Sequence, residues 1–131
     1  MGAIVEKLTI RSGKKIRKAD VFFDSGSPWS FIRSDVARLL GHPFPLTGSI
    51  KFRALGNGTF SCREGFHLLV NIKGIWCPYF FYVATIRDLD DEILIGQDFM
   101  QVYKITLDLK REKIAVNTKD LRRSQTIYSF H

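Results

Sequence analysis

Apolar and polar residues alternate over residues 4–11 and again over 15–23, with Ser12-Gly13 between them, a pattern that predicts two strands of one hairpin. In the second strand Arg17, Ala19, Val21 and Phe23 share one face, and Lys18, Asp20 and Phe22 share the other. The pattern turns wholly apolar at Val21-Phe22-Phe23, as in a strand that starts exposed and finishes inside. Asp24-Ser25-Gly26 follows at once. Ser27 to Ile32 reads as a short extended piece, and Ser34 as the N-cap of a helix of about two turns. Asp35 would lie in its first turn, with Val36, Leu39 and Leu40 on one side and Gly41 and Pro43 ending it.

Strand periodicity returns from 49 to 72. Ile50, Phe52 and Ala54 lead to Leu55-Gly56-Asn57-Gly58-Thr59, in which Asn57-Gly58 suits a two-residue turn with positive φ at both positions. A long return strand carries Phe60, Cys62, Phe66, Leu68 and Val70, and Lys73-Gly74 turns into the aromatic run 76–83. Pro78 within that run marks an edge or a bulge. An acidic loop, 88–92, precedes the apolar strand Ile93-Leu94-Ile95-Gly96, and a short helix is expected over 98–103. Ile105, Leu107 and Leu109 alternate with polar residues before Arg111-Glu112 turns into Ile114 and Val116, a hairpin with one buried face. Residues 1–116 thus read as one mainly β domain, and 117–131 as a basic tail, with or without a short strand at its end.

Composition narrows this picture little. The 131 residues are 45% hydrophobic and 25% charged, enough for one domain with its own core. Net charge is +7, yet the cations are scattered along the chain and read as solvated strand edges, so nucleic acid is not expected as a partner. No stretch is long and apolar enough to span a bilayer, and the N-terminus lacks a signal-peptide pattern. Cys62 and Cys77, without metal spacing, read as free thiols of a protein inside the cell, cytoplasmic or otherwise. His42, His67 and His131 show no metal spacing either, and no metal or cofactor is expected.

The chemistry centres on Asp24. A buried strand delivers this carboxylate onto a Ser-Gly turn, so it is held by packing and still presented on a loop. Taken alone, the tripeptide fits an ordinary Asx-capped turn as well as a reactive site. Four features in order change that reading. They are the apolar strand into Asp24-Ser25-Gly26, the glycine-rich hairpin about thirty residues on, Ile93-Leu94-Ile95-Gly96 before Gln97-Asp98-Phe99-Met100, and the closing hairpin. Over residues 4–116 this order resembles the retropepsins, the aspartic proteases of retroviral type.

The resemblance implies a closed β-barrel with one or two short helices, working as a two-fold homodimer on a peptide or protein substrate. Only one Asp-Ser/Thr-Gly is present, so the second acid would be Asp24 of a second copy. Asp24, Ser25 and Gly26 would form the catalytic loop, with Ser25 reaching the partner's backbone. Leu55, Gly56, Asn57, Gly58 and Thr59 would form the flap, and Gly96, after Ile95, would give the loop room from behind. Asp98 would cap the following helix. Ser27 and Trp29 are groove candidates, and Trp29 fits equally well under the helix. Large apolar residues are expected beside the scissile bond. Two other readings stay open: a dimeric peptide-binding module of the same fold that no longer cleaves, and a basic nucleic-acid-binding barrel.

Overall fold

The computed structural model describes residues 2–54 and 58–127. β1 (Ala3–Ser12) and β2 (Lys15–Asp24) pair antiparallel in unbroken register from Ala3↔Asp24 to Ser12↔Lys15. Then come β3 (Phe31–Arg33), α1 (Ser34–Leu40), β4 (Phe44–Arg53), β5 (Thr59–Ile72) and β6 (Ile75–Ala84). The chain continues through β7 (Ile93–Ile95), α2 (Gln97–Tyr103), β8 (Thr106–Asp108), β9 (Lys113–Ala115) and α3 (Thr118–Ile127). The sheet order β1-β2-β7-β3-β6-β5 closes on itself where β1 meets β5 at Ile10↔Val70 and Arg11↔Leu69. The result is a six-stranded barrel, from which β4 and the first half of β5 project as a long arm.

Alternation explains the filling. Ala19, Val21 and Phe23 of β2, Leu68 and Val70 of β5, and Cys77, Phe81 and Val83 of β6 all point into one core. A second cluster forms under the arm from Phe31, Phe52, Cys62, Ala84, Leu89 and Leu94, with Phe22, Phe60 and Tyr82 against it. Burial pushes both thiols up to about 12, so neither cysteine is a nucleophile near neutral pH. Among the described residues no helix is long and apolar enough to cross a membrane.

Several local expectations shift. The mirror-image two-residue turn occurs at Lys73-Gly74, with φ of 54° and 82°, between the paired Ile72 and Ile75. At the end of the arm, Arg53 pairs with Thr59. Of that flap tip, Leu55, Gly56 and Asn57 lie outside the described residues. Gly58 has φ of +106°, and its carbonyl accepts the Ala54 N–H. The cap of α1 falls on Arg33, not Ser34, because β3 keeps the backbone extended through Arg33 in its pairing with Ala84. Ala37 takes the buried position expected of Leu39, which is exposed. Pro78 sits where expected: β6 pairs with β5 there, while β3 joins it only from Tyr82 onward.

The tail is the main correction. The segment that reads as a basic tail with an optional strand forms the helix α3, a third helix where one or two were expected. Asn117 Oδ1 accepts the Lys119 and Asp120 N–H groups, a side-chain cap hidden among polar residues. Leu121 is fully buried in the main core, and Ser124 Oγ donates to the Val102 carbonyl. Gln125 Nε2 and Tyr103 OH donate to the carbonyls of Trp76 and Pro78 on β6. Helix α3 is thus a part of the packed structure. Leu121→Ala is expected to lower unfolding free energy by about 3 kcal/mol, since it removes buried methyl groups and leaves a cavity. Urea unfolding followed by tryptophan fluorescence checks it.

Candidate active site

Asp24 is the last residue of β2, opposite Ala3. Val21 and Phe23 are fixed in the core, so the strand end cannot shift without disturbing packing. Asp24 lies on the other face with Phe22, which borders the aromatic cluster under the arm. Its Oδ1 accepts the Gly26 N–H at 2.8 Å, and its carbonyl accepts the Ser27 N–H. The carboxylate is therefore oriented by its own turn while remaining partly exposed.

Ser25 is held from the N-terminal side. Its hydroxyl accepts the Gly2 N–H at 2.9 Å and donates to the Gly2 carbonyl at 3.0 Å, and that carbonyl also takes the Ser25 N–H. From behind, Gln97 Nε2 donates to the Ser25 carbonyl at 3.0 Å, and the Gln97 N–H donates to the Ser27 carbonyl. Ser27 spends its hydroxyl on the Trp29 carbonyl, within its own loop.

Gly96 stands between β7 and α2, directly behind the loop. A Cβ there would fall within 3.0 Å of the backbone carbonyls of Trp29 and Ser27. Ser30 is completely buried beside it, accepting the Gly96 N–H at 3.0 Å and donating to Asp98 Oδ1 at 2.7 Å. The Asp98 N–H in turn donates to the Pro28 carbonyl. Loop 24–30 and the start of α2 are thereby joined through five hydrogen bonds, from Gln97 N and Nε2, Asp98 N, Gly96 N and Ser30 Oγ. Sequence reasoning gave Gln97 and Ser30 no role. Gln97 had one signal, its place directly after Gly96. Nothing local marks Ser30.

Asp98 faces inward to this network, and burial is the main influence raising its carboxyl, opposed by hydrogen bonds from Ser30 and the Phe99 backbone. A raised carboxyl favours the fold most when protonated. The contribution is complete below the ordinary carboxylate range and is lost as pH rises through the folded value. Asp98→Asn keeps the oxygen that accepts from Ser30 and removes the titration. Its chemical-denaturation profile is expected to be flatter than that of the unaltered protein between mildly acidic and neutral pH. An unchanged slope would contradict the assignment.

Ser25, Gly26, Pro28, Trp29, Gln97 and Asp98 line an open depression of about 500 Å³. Trp29 is 46% exposed and touches Tyr82 edge-on, so it forms a wall at the surface and does not fill the space under α1. Among the described residues no group of His, Cys, Asp or Glu is arranged to hold a metal ion.

A closed six-stranded barrel with an Asp-Ser-Gly loop at a strand end and a glycine behind it defines the retropepsin-like class. The family model for the Ty3 transposon peptidase matches residues 3–131, and the chain belongs to that family. Among solved structures it is similar to the retroviral protease-like domain of Ddi1 from Leishmania major. That match has a TM-score of 0.60 and 20% identity, covering 89% of this chain and 90% of that one. It is also similar to the EIAV protease in complex with the inhibitor HBY-793, with a TM-score of 0.50 and 15% identity, covering 74% of this chain and 84% of that one. Both likenesses concern the fold. No curated protein matches the sequence.

Proposed function

We propose that this chain is an aspartic endopeptidase that acts as a homodimer, with Asp24 of each subunit forming the catalytic pair. The observation that carries this reading is Asp24 itself, a partly exposed carboxylate on a turn braced from behind by Gln97, Gly96 and Ser30. Two carboxylates brought within about 3 Å cannot both ionise easily, so they share one proton. One then accepts a proton from water while the other donates to the scissile carbonyl. No metal or cofactor is called for in this scheme.

The Ser25 hydroxyl would exchange its bonds with Gly2 for the partner's backbone on dimerisation. The arm formed by β4 and β5, with Gly58 and Thr59 at its described end, would close over an extended peptide that pairs with strand edges. Large apolar side chains beside the scissile bond suit the aromatic cluster under the arm, which Phe22 borders from the same strand face as Asp24, and Trp29 would edge the groove. Two buried thiols suit a reducing, intracellular compartment.

Cleavage of an apolar peptide library is expected to rise with the square of protein concentration at low concentration, then linearly once dimers dominate. Strict first-order dependence throughout would oppose the dimeric site. Tight peptide binding with no cleavage at any concentration or pH would favour a silent binding module.

A further inference from the structure

Trp29, beside the candidate catalytic loop, starts a row of rings that leaves the site along the outer side of the barrel. Trp29 meets Tyr82 edge-on at 6.4 Å, and Tyr82 meets Phe80 at 4.8 Å and 90°. Phe80 then contacts His67 at 6.0 Å and Phe44 at 5.8 Å, while Phe44 stacks on His67 at 5.0 Å. Trp29 and His67 are exposed, and Tyr82, Phe80 and Phe44 are half-buried. Strand register sets this alignment, because His67 pairs with Phe80, and Gly65 pairs with both Tyr82 and Phe44. Gly65 has no side chain, and a Cβ there would collide with the rings of Phe80 and Phe44.

The barrel core does not need these rings. The opposite face of the same strands already fills it with Phe66, Leu68, Phe81 and Val83. The ring-bearing stretch itself carries no formal charge, and cations stand only at its two ends, Arg63 before Gly65 on β5 and Arg11 opposite Leu69. Gly65, His67 and Leu69 occupy this stretch on β5, and Pro78, Phe80 and Tyr82 on β6, with no lysine, arginine, aspartate or glutamate among them. His67 is exposed overall, but the partial desolvation of its ring lowers its pKa and so favours the neutral form. Single-stranded nucleic acid stacks on aromatic platforms whose cations follow the backbone along the whole groove, whereas here Arg63 and Arg11 stand only at the ends of the row. A neutral, extended peptide needs none. Proline-rich segments in particular dock between aromatic rings, because their backbone is already extended and little entropy is lost.

We infer that this aromatic track is the outer part of the peptide groove and takes the distal, uncharged residues of an extended substrate, with proline or aromatic side chains stacking on Phe80, His67 and Phe44. The inference rests on the peptide-binding part of the proposed function and is read without turnover. Fluorescence anisotropy compares a short apolar core peptide with the same peptide lengthened at either end by a proline- and tyrosine-rich segment.

One lengthened peptide is expected to bind about tenfold tighter than the core. In Phe80→Ala, and in the exposed-site variant His67→Ala, the ratio of the two affinities should fall to about one. A general folding defect would weaken both peptides and leave the ratio intact. A ratio near one in the unaltered protein overturns the track, as does displacement of the lengthened peptide by oligothymidylate. A chain that binds with the expected ratio but leaves every peptide intact keeps the track and loses the protease reading. A chain that cuts the core peptide with a ratio of one does the reverse. If neither peptide binds, both readings fall.

Discussion

Asp24→Asn is expected to lower peptide cleavage by at least about 10³-fold while leaving fold and peptide affinity in place. The substitution is nearly isosteric, and the side-chain bond that Asp24 makes among the described residues is to the Gly26 N–H, which the amide oxygen of asparagine accepts equally well. What disappears is the group that can exchange a proton with water. In a dimer the effect is doubled in kind, because each site would lose both carboxylates at once. Mixing the variant with unaltered protein adds a sharper test, since heterodimers hold one acid and should be inactive. Unaltered rate constants in the variant would remove Asp24 from the chemistry. A melting temperature lowered along with the rate would show that the loss is one of folding.

Gly96→Ala is expected to destabilise the protein by about 3 kcal/mol or more, lowering its melting temperature by about 10 °C, and to reduce cleavage even where the protein stays folded. The added methyl would meet the carbonyl oxygens of Trp29 and Ser27, which are backbone atoms and cannot swing aside as a side chain can. Relief would require the loop carrying Asp24 to move off α2, breaking the bonds from Gln97 to Ser25 and Ser27. Calorimetry with parallel cleavage assays separates the two effects. A fully stable Gly96→Ala protein would mean that loop and helix are less tightly apposed than described. Gly13→Ala, at a turn with open space around it, is the useful contrast, since it tests backbone strain without a collision.

Where information was local, the chain could be read directly. The β1–β2 hairpin, the strand running into Asp24, and Ile93-Leu94-Ile95-Gly96 all announced themselves through periodicity and turn residues a few positions apart. Errors arose where two local signals competed. Ser34 has the better capping side chain, but β3 pairing with β6 kept the preceding residue extended and gave the cap to Arg33. The helix over 118–127 was missed because only Leu121 is deeply buried, and a single apolar residue makes no stripe.

The bracing of the candidate site was the least legible part. Ser30 meets Gly96 across 66 positions and Asp98 across 68, and Gln97 meets Ser25 across 72. No window along the chain contains both ends of such a bond. The amino-acid order by itself determined which strands alternate, where the single acidic turn lies and which family the chain resembles, because those properties depend on neighbours. Only the folded barrel decided that Ser30 and Gln97 hold the loop, that Ser25 engages Gly2, that the tail packs as a helix and that a row of rings lies along the outer face. Each of these follows from strand register and packing, which bring distant residues within a few ångströms.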